Sequence, residues 1–128
     1  ERAMKAGFGQ ACYVLAVHDI ERSLRHYVDV LGFSELRIDA PGWRFVERGP
    51  VRIDMGECPD ALAPGKLGDH SYFARIFVDD LDGYHKEIAP RGADIMSGPA
   101  DRPWGLREMA VRTVDGHRIM FCAPIGQP

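Results

Sequence analysis

One short pattern occurs twice in the chain, roughly sixty residues apart, and it limits the possible folds more than any other feature. Val17–Phe33 (VHDIERSLRHYVDVLGF) and Val78–Asp94 (VDDLDGYHKEIAPRGAD) both begin with V-x-D-[IL] and continue into a segment that contains a helix-ending glycine. An apolar run precedes the pattern in each copy. An internal repeat of this length indicates two structural units built on the same plan.

The first copy predicts a strand, a helix and three further strands. Ala11–Val17 is a short apolar run typical of a strand, and Asp19 can cap the following helix because its carboxylate accepts bonds from free backbone N–H groups. Apolar residues then recur every three or four positions until Gly32, as on one face of a helix. The remaining strands are predicted at Phe33–Asp39, Trp43–Arg48 and Val51–Glu57, the last two joined by a turn at Gly49-Pro50.

The second copy repeats this order after a polar linker at residues 59–69. It predicts a strand at Tyr72–Val78, a helix from Asp79 or Asp80 to Gly92, a short strand at Ala93–Met96, and a hairpin of Arg107–Thr113 and His117–Ala123. The chain is therefore predicted to be a single α+β domain over residues 1–128. Two tandem βαβββ modules, at about 11–58 and about 70–124, form curved mixed sheets with helices on the outer face.

Composition and charge indicate a globular domain and argue against two classes of partner. The 128 residues are 45% hydrophobic and 27% charged, which suffices for a buried core, and the net charge of −3 is unlike a nucleic-acid-binding surface. No apolar run reaches the length of a membrane span. Three widely spaced cysteines, Cys12, Cys58 and Cys122, fit reduced thiols rather than a disulfide framework. We therefore expect a cytoplasmic protein without nucleic-acid or membrane partners.

Side-chain alternation along the strands predicts one face of each sheet that turns away from the helices, which we call the open face. The residues assigned to it are Trp43, Phe45, Glu47, Arg52, Asp54, Phe73, Arg75, Phe77, Glu108, Arg112 and Met120. Aromatic and guanidinium groups stack on flat rings, and charges among them orient a polar aromatic ligand. Two alternatives remain open: the aromatic side chains fill the seam between the sheets, or the strand Trp43–Arg48 turns its other face inward.

The chain resembles the vicinal oxygen chelate superfamily, which includes glyoxalase I, extradiol dioxygenases and bleomycin resistance proteins. The resemblance is carried by the doubled strand order and by three stretches: V-x-D-I-E-R-S-L-x-x-Y-x-D-V-L-G-F (residues 17–33), V-D-D-L-D (78–82) and P-W-G-L-R-E-M-A-V-R-T-V-D-G-H-R-I-M-F (103–121). It covers about residues 11–124 and implies the two-module fold. It does not select one chemistry, because this fold hosts several.

The metal-ligand positions of the superfamily carry unsuitable residues in this chain. Enzymes of the superfamily hold a divalent metal through His, Gln or Glu on the first strand of each module and Glu on the last strand of a module. The resemblance places Cys12, Phe73 and Met120 there, and all three are poor ligands for a hard divalent ion. Asp54 lies near a further acidic position, and His70 is the histidine best placed to contribute. One carboxylate does not make a metal site, so we expect no metal, no cofactor and no catalytic residue.

The motif P-W-G-x-R-E-x-A-x-R-x-x-D-G is similar to that of the antibiotic-sequestering branch, whose homodimers grip a drug with the tryptophan of this loop. The resemblance implies that Trp104 stacks on the ligand, and we assign the same role to three aromatic residues of the open face: Trp43, Phe45 and Phe73. Five charged residues would set its orientation, with Met120 beside them: Glu47, Asp54, Arg75, Glu108 and Arg112. Trp104 could instead anchor its own hairpin. The acidic residues are compatible with a cationic drug such as bleomycin.

The predicted function is non-catalytic binding and sequestration of an aromatic polar small molecule, of the bleomycin type, by a homodimer. A metal-dependent glyoxalase- or dioxygenase-like enzyme is the alternative, and it requires the strand register to be off by one, which would exchange the two faces. A thiol enzyme using Cys12 or Cys122 is a further alternative. It needs a base beside the thiol, and the sequence places no histidine there.

Overall fold

The computed structural model describes residues 6–68 and 71–126. The strands are β1 (Tyr13–Val17), β2 (Ser34–Leu36), β3 (Trp43–Arg48), β4 (Val51–Glu57), β5 (Tyr72–Phe77), β6 (Asp94–Asp101), β7 (Leu106–Arg112) and β8 (Arg118–Pro124). The helices are α1 (Ile20–Arg25), extended by a π-helical turn at His26–Val30, and α2 (Leu81–Ile88), extended by a 3₁₀ turn at Ala89–Arg91. A further 3₁₀ turn lies at Pro64–Lys66.

The strands form two four-stranded mixed sheets with the same topology. Their orders are β1-β4-β3-β2 and β5-β8-β7-β6. In each sheet the first strand pairs in parallel with the last strand of its repeat, and the other pairings are antiparallel. This architecture confirms the predicted α+β fold of two tandem βαβββ units.

The repeated sequence pattern supplies the start and stop signals of the two helices. Asp19 Oδ1 accepts a hydrogen bond of 3.2 Å from the backbone N–H of Arg22, and Asp80 Oδ1 accepts one of 2.9 Å from Gly83. Gly32 and Gly92 follow the helices with φ angles of +79° and +93°. Residues other than glycine rarely adopt this left-handed backbone conformation, which explains the glycine in both copies.

Both halves of the chain share one hydrophobic core, in which the helix-facing sides of the two sheets meet the helices. Fully buried side chains from the first half include Tyr27 and Ile53, and those from the second include Met109. Polar contacts also join the halves: the Tyr84 hydroxyl donates to the carbonyl oxygen of Leu31 over 2.8 Å. With this side of each sheet covered, the open faces are the surfaces left for other partners.

Two strands differ from the sequence prediction by several residues in length, while β1 and β5 are only slightly shorter than predicted. The strand predicted at Phe33–Asp39 pairs only over Ser34–Leu36. At its start, Phe33 is buried in the core, where its ring meets the Tyr27 ring edge-on with centroids 5.6 Å apart. The strand predicted at Ala93–Met96 runs instead over Asp94–Asp101. It contains Gly98 and Pro99, which usually interrupt strands, and its pairing with β7 absorbs them through two shifts in register.

Two further features bear on the class of protein. Within the described ranges, no helix has the length and apolar character needed to cross a membrane. All three cysteines are free thiols: Cys12 and Cys58 are exposed, and Cys122 is buried.

Two partly buried histidines make the stability of the fold depend on pH. Burial lowers the pKa of both His26 and His117, although the nearby Asp115 carboxylate acts in the opposite direction. His26 Nε2 and His117 Nδ1 are buried without a hydrogen-bond partner among the described residues. In the folded state, burial therefore favours the neutral form of both rings.

We expect the free energy of unfolding to fall as the pH is lowered below about 6.5, the ordinary pKa of histidine. Below that value the unfolded chain binds protons that the folded chain resists, so acid favours unfolding. Urea denaturation at pH 7.5 and pH 5.5 measures the effect. His117→Gln cannot titrate and should lose part of the difference between the two pH values. A variant with the full wild-type difference would contradict this assignment.

Candidate functional site

A pocket of about 620 Å³ lies on the open face of the second sheet. Its lining residues are Tyr72, Phe73, Ala74, Arg75, Ser97, Arg102, Trp104, Glu108 and Met120. Strands β5, β7 and β8 supply most of them, and β6 and the turn before β7 supply the rest. Five residues predicted from the sequence meet here: Phe73, Arg75, Trp104, Glu108 and Met120.

Glu108 is the centre of a polar cluster in this pocket. Its side chain is only 3% exposed, and Oε2 accepts hydrogen bonds from Arg75 Nη1 and, over 3.0 Å, from Trp104 Nε1. Arg102 Nε lies 3.9 Å from Oε1. Burial opposes ionisation of Glu108, but the donors outweigh it and hold the pKa of the carboxyl below its usual value. Glu108 is therefore a buried, ionised carboxylate surrounded by donors.

Trp104 is held by its nitrogen while its ring stays open to solvent. The indole N–H is bound to Glu108, yet 62% of the residue is exposed. The turn that carries Trp104 is fixed at its base because the N–H of Arg102 donates to the carbonyl oxygen of Leu106 over 2.8 Å. An exposed indole with a fixed edge offers a flat surface for stacking at little cost in side-chain entropy.

Phe73 combines a place in the pocket wall with packing between the halves. Its ring contacts Tyr13 edge-on at 5.5 Å and His117 at 5.7 Å, and it packs against the shared core. A shift in the β5–β8 register between Tyr72 and Ala74 allows this orientation. Much of the Phe73 ring therefore packs in the seam between the two sheets, as the alternative interpretation of the sequence proposed.

The open face of the first sheet carries a second group of predicted residues. Val46 is fully buried, so Trp43, Phe45 and Glu47 project to the open face and the inverted assignment of β3 is excluded. The Trp43 and Phe45 rings are nearly parallel, at 15°, with centroids 6.4 Å apart. The Arg52 guanidinium lies 5.3 Å above Phe45 and its Nε is 2.8 Å from Asp54 Oδ1. Together they form an aromatic and guanidinium surface.

Trp43 lies flat on Gly56, its cross-strand neighbour in β4. A Cβ atom added to Gly56 would stand 2.9 Å from Cη2 and 3.0 Å from Cζ2 of the indole. These distances are too short for any larger residue at position 56 unless the ring moves. Gly56 therefore sets the position of Trp43.

Replacing Gly56 by alanine should displace the Trp43 ring while the backbone, which has no left-handed conformation there, accepts the new side chain. In a Trp104→Phe background Trp43 is the only tryptophan, so its fluorescence emission should shift to the red as the ring moves into water. Gly65→Ala is the matched control because a Cβ there meets nothing within 4 Å. An unchanged spectrum in the Gly56 variant would contradict the packing described.

Two predicted residues belong neither to the pocket of the second sheet nor to the surface formed by Trp43, Phe45, Arg52 and Asp54. Arg112 binds Asp94 through Nε at 3.1 Å and lines a different surface depression, beside His26. Glu47 is exposed on β3, opposite Arg52. Their proposed roles in orienting a ligand stay predictions.

The described residues do not fit the metal that the fold family's enzymes carry. Cys12 Sγ is 3.8 Å from Asp54 Oδ2, and these two side chains are only two possible metal ligands. Phe73 and Met120, at the other two expected positions, supply a phenyl ring and a thioether. Within residues 6–68 and 71–126, no group of three His, Cys, Asp or Glu side chains could hold an ion. His70, the histidine singled out in the sequence, lies outside the described residues.

The sequence prediction missed four lining residues of the pocket: Tyr72, Ala74, Ser97 and Arg102. Arg102 had a usable signal, since it stands two residues before Trp104 in the same turn. Ser97 gave no usable signal, because Gly98 and Pro99 follow it and this part of the sequence does not have the pattern of a strand.

Comparison with solved structures gives many similar folds. The bleomycin-binding protein from bleomycin-producing Streptomyces verticillus, complexed with copper(II)-bleomycin, is 26% identical, with a TM-score of 0.72 over 93% of this chain and 98% of that one. TioX from Micromonospora sp. ML1 is 25% identical, with a TM-score of 0.69 over 94% and 99%. A glyoxalase/bleomycin resistance protein/dioxygenase from Alicyclobacillus acidocaldarius, at 13% identity and TM-score 0.76 over 91% and 92%, supports the fold alone.

Comparison with curated protein sequences gives no match. A sequence model of one family, in contrast, matches residues 9–121, which is nearly the whole chain and includes all the strands except the last three residues of β8. The chain therefore belongs to the Glyoxalase/Bleomycin resistance protein/Dioxygenase superfamily.

Proposed function

We propose that this protein binds and sequesters an aromatic polar small molecule, of the kind that bleomycin-binding proteins hold, without converting it chemically. The observation that carries the proposal is Trp104: its indole is fixed by Glu108 and exposes its ring at a pocket of about 620 Å³. That volume suits a small organic ligand, and a fixed flat ring is the side chain that aromatic ligands stack on.

The first sheet supports the same interpretation. Trp43, Phe45 and Arg52 form a second flat surface, and Trp43 is 38% exposed. Aromatic rings that stay partly in water lose the free energy that full burial would give, so a pair with Trp43 exposed and Phe45 half-buried favours a ligand or a protein partner. We assign Trp43 and Phe45 a stacking role, with Glu47 and Asp54 beside them.

We further propose a homodimer. The strands β1 and β5 each lie at the edge of a sheet, and large apolar side chains beside those edges are exposed: Val14 by 63% and Phe77 by 61%. Unpaired strand edges and exposed apolar residues favour association with another chain. A second copy would bring an open face of one chain toward that of its partner and enclose the ligand. Light scattering after gel filtration measures the molar mass of the protein in solution and so distinguishes a dimer from a monomer.

The function is tested by protection together with the fate of the ligand. A bleomycin-sensitive bacterium that expresses the protein should survive higher concentrations of bleomycin than one expressing the Trp43→Ala/Trp104→Ala double variant. Drug recovered from the purified complex should have an unchanged mass. A modified drug, or turnover that begins when iron(II), manganese, zinc or nickel is added, would instead identify a metal-dependent enzyme of the glyoxalase or dioxygenase kind.

A further inference from the structure

We propose that the pocket of the second sheet recognises an anionic group on its aromatic ligand, a carboxylate or a sulfonate, and that Arg102 and Arg75 bind that group. This inference rests on the proposed function and adds the charge of the ligand. It differs from the expectation that acidic residues of the site attract a cation.

Glu108, the acidic residue of this pocket, is unavailable to a cationic ligand. Its side chain is 3% exposed, and its oxygens already face Arg75, Arg102 and the indole N–H of Trp104. A ligand cation would have to displace an arginine from a buried carboxylate, which leaves a charge without its partner. Glu108 therefore positions the two arginines and the indole.

The positive groups, in contrast, reach solvent in the pocket. The side chains of Arg75 and Arg102 are 43% and 35% exposed. Two guanidinium groups and one carboxylate line the pocket, so its charged residues sum to about +1. A water-accessible pocket of this sign concentrates anions.

Arg102 retains hydrogen-bonding capacity. Its Nε forms an ion pair with Glu108 Oε1 at 3.9 Å, a distance longer than a hydrogen bond. The Arg102 side chain makes no hydrogen bond to another described residue. A guanidinium carries five N–H donors in a planar fork, the geometry that matches a carboxylate or sulfonate.

The anion site and the stacking site are adjacent. Trp104 and Arg75 both donate to the same oxygen of Glu108, so the indole ring and the guanidinium groups converge on one carboxylate. A ligand that stacks on Trp104 therefore places a substituent of its ring near the arginines. An aromatic carboxylate or sulfonate satisfies both features with one small scaffold.

The test uses three probes with the same ring and different charge: 2-naphthoate, neutral 2-naphthamide and the 2-naphthylmethylammonium cation. Calorimetric titration of the full chain at low salt gives the affinity of each. We expect 2-naphthoate to bind about tenfold more tightly than 2-naphthamide, because its carboxylate forms an ion pair with the guanidinium groups while the amide oxygen only accepts a hydrogen bond from them, and the cation to bind most weakly.

Two variants locate the effect. Arg102→Gln removes one of the proposed anion-binding groups and should reduce the preference for 2-naphthoate to about threefold or less. Arg91→Gln is the matched control: it removes the same charge from a side chain that is 46% exposed and paired with one glutamate, but it lies outside the pocket and has no proposed role in binding. It should keep the wild-type preference.

Each outcome has one meaning. A preference for 2-naphthoate that Arg102→Gln removes and Arg91→Gln retains supports the proposal. Equal binding of the three probes, a preference for the cation, or an anion preference unaffected by Arg102→Gln overturns it, although aromatic binding would stand. Failure of all three probes to bind overturns this inference too, and the bleomycin protection assay then decides separately whether the proposed function stands.

Discussion

Replacing Gly98 by alanine should lower the melting temperature by about 10 °C or more, because it introduces both backbone strain and a collision in β6. Gly98 has a φ of +82°, a conformation that costs other residues about 1–2 kcal/mol. The new Cβ would lie 2.2 Å from the carbonyl oxygen of Glu108 and 3.1 Å from Met109 Cα, both on the neighbouring strand. Overpacking against such atoms adds about 1–3 kcal/mol.

Gly42→Ala separates the two contributions. Its φ of +81° imposes nearly the same backbone strain, but an added Cβ meets nothing within 4 Å. We expect this control to lose only the strain, about 1–2 kcal/mol. Thermal unfolding followed by circular dichroism compares the variants. Equal losses in both would show that β6 and β7 are not packed closely at Gly98.

The elements defined by local chemistry were predictable from the sequence. The hairpin was predicted at Trp43–Arg48 and Val51–Glu57 and has those bounds in the structure, because strict alternation and a Gly-Pro turn depend on adjacent residues only. The beginnings of both helices are likewise determined locally, since the capping contacts of Asp19 and Asp80 each reach only three residues along the chain.

The length of β6 and the composition of the pocket depend on contacts that are distant in sequence. Gly98 and Pro99 interrupt the alternation of β6, and only its pairing with β7 keeps it a strand. Alternation assigns a side chain to a face and gives no position along it. Glu108 and Arg112 share a face of β7, but four residues of strand separate them by about 13 Å, which places Arg112 beyond the pocket.

The burial of Glu108 has the same origin and changes the charge of the site. In the sequence it is one of several acidic residues, which suggested an affinity for cations. In the structure Arg75 from β5 and Arg102 from the turn before β7 converge on it, a juxtaposition that no spacing reveals. The two arginines then present the exposed charge, so the sign of the pocket follows from tertiary structure.

Replacing Trp104 by alanine should weaken binding of 2-naphthamide at least about tenfold, which corresponds to about 1.4 kcal/mol. The ring stands 62% exposed at the pocket, so its removal takes away a stacking surface and little core packing. A neutral probe is chosen because its affinity depends less on the charge of the arginines than that of 2-naphthoate. Calorimetry measures the affinity, and thermal unfolding measures the stability of the same samples.

Trp104→Phe is the control that isolates the ring. Both variants lose the indole N–H that donates to Glu108, so both lose any stability that this hydrogen bond contributes. Phenylalanine keeps an aromatic face, and we expect its affinity to stay within a few-fold of wild type. If the alanine and phenylalanine variants lose the same affinity, the hydrogen bond matters and the ring does not. Trp104 would then act as an anchor of its own hairpin.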